Sequence, residues 1–244
     1  ILTKADKKLI DLFFLKFDNK NLIDHLKQPD RDSDQRGCIT YEEFDALYKA
    51  LKEEEKIPKN DRIPPYFKAF FRAYLDAQGK ENNSEIPWED RLAALYYAYA
   101  MKNPNRFVRD WFELNLNINN MLTAITCRKH GFDKASYIVG ENEVAQALRT
   151  SNARDFGLGD TVDYLPDLGR IAEETDLMVR EKKVDLLKWK WLEEHTFFKP
   201  FDIESVFAYL LKLEMIERWV TLDKATGEKT FREIVGAMKK GSDN

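Results

Sequence analysis

Apolar positions in this chain recur at three- and four-residue intervals, the period of one helix face, over most of its length. Thr3, with Asp6 three residues on, reads as an N-cap and first turn. Leu9, Phe13 and Phe17 then share a face. Asn19 to Gln28 continues as a second helix or a bent extension, ended by Pro29. Thr40 and Glu43 form a T-x-x-E capping box for a helix to about Glu55. Residues 56–65 read as a connector, and Pro65 opens a helix over 66–78. After a polar loop, 79–86, Pro87 starts a helix whose stripe is Trp88, Leu92, Leu95, Tyr96 and Tyr99. Asn103-Pro104 separates it from a helix over 105–130 that Gly131 ends. Short helices and a linker are expected over 140–165, then helices at 167–181 and 184–195. Pro200 precedes a helix at 203–219, with Ile203, Val206, Phe207, Leu210 and Leu213 as its expected packed face. Residues 221–230 read as a turn and 231–239 as a last helix. No segment reads as β-rich, so the expectation is an all-α protein of roughly ten or more helices.

Within this pattern one segment occurs twice. IDLFFLKFDNKNLIDHL (10–26) aligns without gaps on RDWFELNLNINNMLTAI (109–125), 99 residues later. Asp11 meets Asp110, Phe13 meets Phe112, Leu15 meets Leu114 and Asn21 meets Asn120, and most other apolar positions agree in type. Shared helical periodicity explains the apolar matches. It does not explain the Asp and Asn, because packing alone does not require polar residues there. An internal repeat points to an elongated body of two to three similar helical units, expected at 1–85, 86–160 and 161–244.

Composition narrows the function classes. The 244 residues are 43% apolar and 34% charged, which is globular, with more charge than a compact domain usually carries. The 39 basic and 43 acidic side chains are interspersed, leaving no basic stripe for nucleic acid or anionic headgroups. Two distant cysteines, Cys38 and Cys127, do not make a disulfide framework and fit a reducing compartment. The longest nearly apolar run, 92–101, is too short to span a bilayer, and the start does not read as a signal peptide. The first residue is Ile, so an N-terminal piece is expected to be missing.

Candidate chemistry is sparse. DSDQRGCITYEEF (32–44) resembles a calcium loop, with Asp32, Asp34, Gly37 and Glu43 at positions 1, 3, 6 and 12. Arg36 stands at position 5, where an oxygen ligand belongs, and Pro29 breaks the entering helix. The favoured reading is a helix connector capped by Thr40. Cys127-x-x-His130 lacks a second ligand pair, and His25 and His195 have no ligand-spaced neighbours, so no metal or other cofactor is expected. Gly157-Leu158-Gly159 has no preceding strand and no third glycine, and no phosphate loop is present. Trp189 and Trp191 read as packing residues rather than a base-stacking platform. No nucleophile–base constellation is evident, so the chain is expected not to be an enzyme.

FKPFDIESVFAYLLKLEMIERWVTL (198–222) resembles the closing region of a central-stalk subunit of V-type and archaeal A-type rotary ATPases, the one designated C in archaea and d in eukaryotes. Pro200, Tyr209, Leu210, Leu211, Glu214 and Arg218 stand at roughly matching positions. Asp18-Asn19-Lys20-Asn21-Leu22 is similar to that family's D-x-x-N-L helix element. Asn117 to Met121 carries it with Asn for Asp, and a third, weaker copy begins at Asp185. Ile216 stands where the family has a second acid, which here falls at Glu217, and residues 221–230 are an insertion. The resemblance implies a divergent, bacterial member: an all-helical, funnel-like body of three units with no active site. It implies a place on the cytoplasmic face of the membrane between rotor shaft and ion-translocating ring, coupling ATP turnover to H+ or Na+ transport. Its partners would be the shaft and ring proteins, without direct membrane insertion. Asn21, Asn120, Glu214 and Arg218 would be structural or interface positions, with Glu214 and Arg218 expected to pair with each other or with a neighbouring helix.

Overall fold

The structure is a computed structural model that describes residues 2–55, 62–78, 86–199 and 201–221. Among them the secondary structure is helical, with nine α-helices and one 3-10 turn and no strand, so the protein is all-α. Pro200, most of the 56–65 connector and the 79–86 loop, residues 222–230 of the expected turn, and the expected helix 231–239 lie outside the described residues.

The chain divides into two compact units, Ile1–Gly169 and Arg170–Asn244. Both copies of the repeated segment therefore lie in the first unit. That unit opens with α1 (Lys4–Lys27), one continuous helix rather than two. Thr3 and Asp6 form its capping box, and no breaker occurs before Pro29. The second capping box, Thr40 with Glu43, starts α2 (Tyr41–Lys52). Then follow α3 (Pro65–Gln78), α4 (Trp88–Ala100) and α5 (Arg106–His130). Asn105 caps the N-terminus of α5. Gly131 ends it at φ 71°, the left-handed conformation in which glycine carries no steric penalty. A 3-10 turn at Lys134–Ser136, α6 (Glu143–Thr150) and α7 (Leu165–Ala172) follow.

α1 packs on α2 and α4, α3 fills the space beside both, α4 leads onto α5, and α5 packs on α6. Phe44, Phe67, Phe70, Phe71, Leu92, Leu116, Ile118 and Met121 are among the fully buried residues. Aromatic rings join the layers: Phe44 lies 5.1 Å from Phe67, and Tyr96 meets Phe112 edge-on at 5.4 Å. The Tyr96 hydroxyl donates to the Leu12 carbonyl at 2.9 Å and so satisfies its polar end inside the core.

The described part of the second unit is built on a helical hairpin of α8 (Leu177–Thr196) and α9 (Ile203–Thr221). The expected helix boundary near 182 falls instead at 173–176, because Asp176 caps α8 by accepting from the Met178 and Val179 amides. The packed face of α9 also differs from expectation. Phe207, Ala208, Leu211 and Met215 are buried, whereas Val206 and Leu213 point outward. α9 is apolar on nearly every side, so periodicity alone could not choose the face.

Candidate functional site: polar clamps on the repeated helices

The buried polar side chains among the described residues are Asp18, Asn21, Asn117, Asn120 and Asp185. All five fall on the D-x-x-N positions of the repeated element. Burying such groups costs free energy unless they are hydrogen-bonded, so each should have a structural use.

The two asparagines do the same thing. Asn21 accepts from the Asp34 amide at 2.7 Å and donates to the Asp34 carbonyl at 3.0 Å. Asn120 accepts from the Val139 amide at 2.9 Å and donates to the Val139 carbonyl at 2.7 Å. Each carboxamide thus grips both polar groups of one loop residue, pinning the segment that returns from a long helix to the next short one. One turn earlier, Asp18 Oδ1 accepts from the Cys38 and Ile39 amides at 2.7 and 2.8 Å. Its repeat partner Asn117 accepts at 2.8 Å from Asn142, whose own side chain caps α6. The Tyr164 hydroxyl also bonds Asn117, and burial pushes that phenol up to about 12. The shared geometry is stronger support for the repeat than the four identities.

The third copy is built differently. On α8, Asp185 is 1% exposed. It receives the Arg218 guanidinium on Oδ1 and the Trp219 indole N–H on Oδ2, the latter at 2.8 Å. Trp219 stacks on Trp189. Here the buried carboxylate fastens two side chains of the next helix instead of a loop backbone. Arg218 therefore pairs with a neighbouring helix and not with Glu214. Glu214 lies half-buried one turn before it on α9.

Gly37 is needed where it stands. A Cβ there would lie 2.5 Å from Asn21 Nδ2 and 2.9 Å from Asp18 Oδ1, inside the space the clamp occupies. In the second clamp Gly140 sits at φ 82°, and its Cβ would lie 3.0 Å from Leu116.

Two of the three calcium-loop carboxylates, Asp34 and Glu43, are otherwise engaged. Asp34 receives Arg36 through Nε at 3.0 Å and Nη2 at 2.8 Å. That side-chain hydrogen bond holds its carboxyl at about 2. Glu43 closes the Thr40 capping box and takes Arg62. Among the described residues no three His, Cys, Asp or Glu side chains are grouped to hold a metal ion. We expect millimolar calcium to leave the melting temperature unchanged, and Glu43→Gln not to alter that response. A calcium-dependent rise abolished by the substitution would show binding to the native state.

The remaining candidates are also held by contacts within the chain. Cys127 is buried, and burial raises its thiol pKa. His130 ends α5 and stacks on Phe132, away from a second ligand pair. His25 meets Asp45 at 3.0 Å and stacks on Tyr41, while His195 stacks on Trp191.

Asp18 is the least comfortable of the five. It is fully buried, and its Oδ2 has no hydrogen-bond partner among the described residues. Burial raises its carboxyl pKa against the lowering effect of the two backbone amides, and the Glu43 charge raises it further. A folded-state pKa above the unfolded one favours folding of the protonated form. That contribution is complete below the unfolded value near 3.8 and is lost as pH rises through the folded one. Asp18→Asn, the residue the second copy uses, should abolish this loss. Urea unfolding of both proteins between pH 4 and pH 7 should show wild type losing stability relative to the variant. Parallel curves would show that Asp18 titrates alike in both states.

An all-helical body whose long helices each bury a polar residue to fasten the element that follows is a repeat-built framework. Within that class the chain belongs to the family described as "Protein of unknown function (DUF2764)", whose family model matches residues 1–242. No curated protein and no solved structure matches it.

Proposed function

We propose that this protein is a non-catalytic central-stalk component of a V/A-type rotary ATPase, coupling the rotor shaft to the membrane ion-translocating ring. The observation that carries the reading is the threefold use of one polar helix position, at Asp18, Asn117 and Asp185, to lock a long helix to its successor. A part that transmits torque needs stiff joints between helices. A carboxylate or carboxamide gripping two donors, or a whole backbone residue, supplies one at each repeat. The resemblance of residues 198–222 to the closing region of that stalk family points to the same assembly. No helix among the described residues is long and apolar enough to cross a membrane, as a peripheral component requires.

The direct test is a tagged full-length protein recovered from detergent-solubilised host membranes, with co-purifying chains identified by mass spectrometry. Recovery of the nucleotide-binding head, shaft and ring together is expected. Recovery of none of them, from a preparation in which the ATPase is intact, would overturn the reading. A second reading, a helical interaction scaffold unrelated to the ATPase, would then stand, since the clamps stiffen any such framework equally well.

A further inference from the structure

We propose that the joint between α1 and α2 is a proton-responsive hinge: loss of a proton from its buried polar stripe frees the 34–39 connector from α1, and acidification fastens it. The stripe is Asp18, Asn21 and His25, spaced i, i+3 and i+7 on one side of α1. Asp18 holds the Cys38 and Ile39 amides, Asn21 holds Asp34, and His25 Nε2 meets Asp45 Oδ1 on α2 at 3.0 Å. Among the described residues, three buried side-chain atoms lack a hydrogen-bond partner: Asp18 Oδ2, His25 Nδ1 and the Tyr41 hydroxyl. All three belong to this joint, since Tyr41 opens α2 and stacks on His25 at 4.2 Å. Folded chains pair nearly all their buried polar atoms, so three orphans in one place mark a contact that opening to water would relieve. His25 contributes in either charge state. With Nε2–H donating to Asp45, the neutral ring leaves Nδ1 a bare acceptor, and the imidazolium leaves it a bare donor.

Asp18 sets the direction. Ionised, it carries charge on an oxygen that no donor meets, and opening gives that oxygen to water. The groups facing it are an acid and two weak acids: Glu43 from α2, the Cys38 thiol from the connector and the Tyr66 hydroxyl from α3. Arg62, just before α3, pairs with Glu43, while Lys20 and Arg36 act on Asp34. From α4 the Tyr96 hydroxyl is committed to the Leu12 carbonyl. Around His25 stand Asp24 on α1, Arg31 and Asp32 on the connector, and Glu42 and Asp45 on α2. Arg31 pairs with Asp24 at 3.4 Å, and Lys27 with Glu89 of α4. Burial raises the Asp18 carboxyl pKa while it holds the connector, and an opened joint returns it to the ordinary range near 3.8. Closure is therefore favoured in full below that value and weakens as pH rises through the closed one. The second copy supplies the contrast. Asn117 stands for Asp18 and Ala124 for His25, so the α5–α6 joint keeps the asparagine clamp without the ionisable stripe. The first unit thus has one joint whose grip follows pH and one whose grip does not. The hinge is a property of this unit and does not rest on the stalk reading.

The test is hydrogen exchange of the full-length protein, read at single amides by NMR between pH 4 and pH 7 and expressed as protection over the intrinsic rate at each pH. Protection at Cys38 and Ile39 is expected to fall severalfold as pH rises, while protection at Val139, held by Asn120, stays level. Asp18→Asn, the residue of the second copy, should make Cys38 and Ile39 level too. Glu43→Gln removes the neighbouring charge that raises the Asp18 pKa and keeps an acceptor for the Thr40 amide. In that variant the fall should start at lower pH. His25→Ala should leave the pH dependence in place. Three results would overturn the proposal. The first is Cys38 and Ile39 protection that does not change with pH. The second is a fall that survives in Asp18→Asn. The third is a fall shared by Val139 and by the far-UV circular dichroism, which would make the opening global rather than local.

Discussion

Gly37→Ala is expected to destabilise the first unit more than any other single-methyl addition. The new Cβ would lie 2.5 Å from Asn21 Nδ2 and 2.9 Å from Asp18 Oδ1, and both belong to a side chain already committed to a hydrogen bond. Neither can retreat without giving up its loop. Overpacking of this kind costs about 1–3 kcal/mol. A buried polar group stripped of its partner adds about 1–3 kcal/mol more. The two together span about 2–6 kcal/mol, and a loss of about 4 kcal/mol in urea unfolding is the middle of that range. The control is Gly131→Ala, which meets nothing within 4 Å and carries only the strain of φ 71°. If Gly37→Ala costs no more than Gly131→Ala, the clamp is not rigid. The double variant Gly37→Ala/Asn21→Ala should lose less than the sum of its parts, because the alanine at 21 removes the clashing amide.

The second large effect belongs to the third clamp. Arg218→Met would leave Asp185, 1% exposed, with only the Trp219 indole as donor. Breaking a fully buried ion pair costs about 3–5 kcal/mol. The Arg218 side chain is 44% exposed, so part of its charge is already solvated, and about 2–3 kcal/mol is expected here. Asp185→Asn on the same background should recover much of the loss, since the amide needs no counter-charge. A single arginine variant as stable as wild type would mean that Asp185 does not depend on Arg218 for its burial. Arg218→Lys should recover only part, because a single ammonium reaches Oδ1 without the planar fork of the guanidinium.

The clamps also show how far the linear sequence reached. Helix ends were legible wherever capping chemistry is local: Thr3 with Asp6, Thr40 with Glu43, and Gly131 at a C-terminus each act within four residues. The all-α class followed from periodicity, and the repeat from Asp11, Phe13, Leu15 and Asn21 against their partners 99 residues on. Asn21 and Asn120 could be picked out as special because a polar residue at a repeated helical position has no packing reason to persist, whereas Arg218 was marked only by the resemblance of residues 198–222 to the stalk family. What each one holds could not be read. The Asp34 and Val139 backbones lie 13 and 19 residues away, and the return distance depends on how loops of different length fold back.

Tertiary structure alone settled the rest. It made Lys4–Lys27 one helix and moved the break expected near 182 to 173–176. It also turned α9 so that Phe207 and Met215 face α8 while Val206 and Leu213 face outward. A helix with apolar residues on nearly every side has no preferred side until a neighbour supplies one, and here Asp185 on that neighbour draws in Arg218 and Trp219. The sequence by itself determined the helices, their caps and the repeated polar positions, because those depend on contacts within a few residues. Only the folded chain decided what each buried polar group grips and which apolar face stays open, because both depend on where distant segments come to rest.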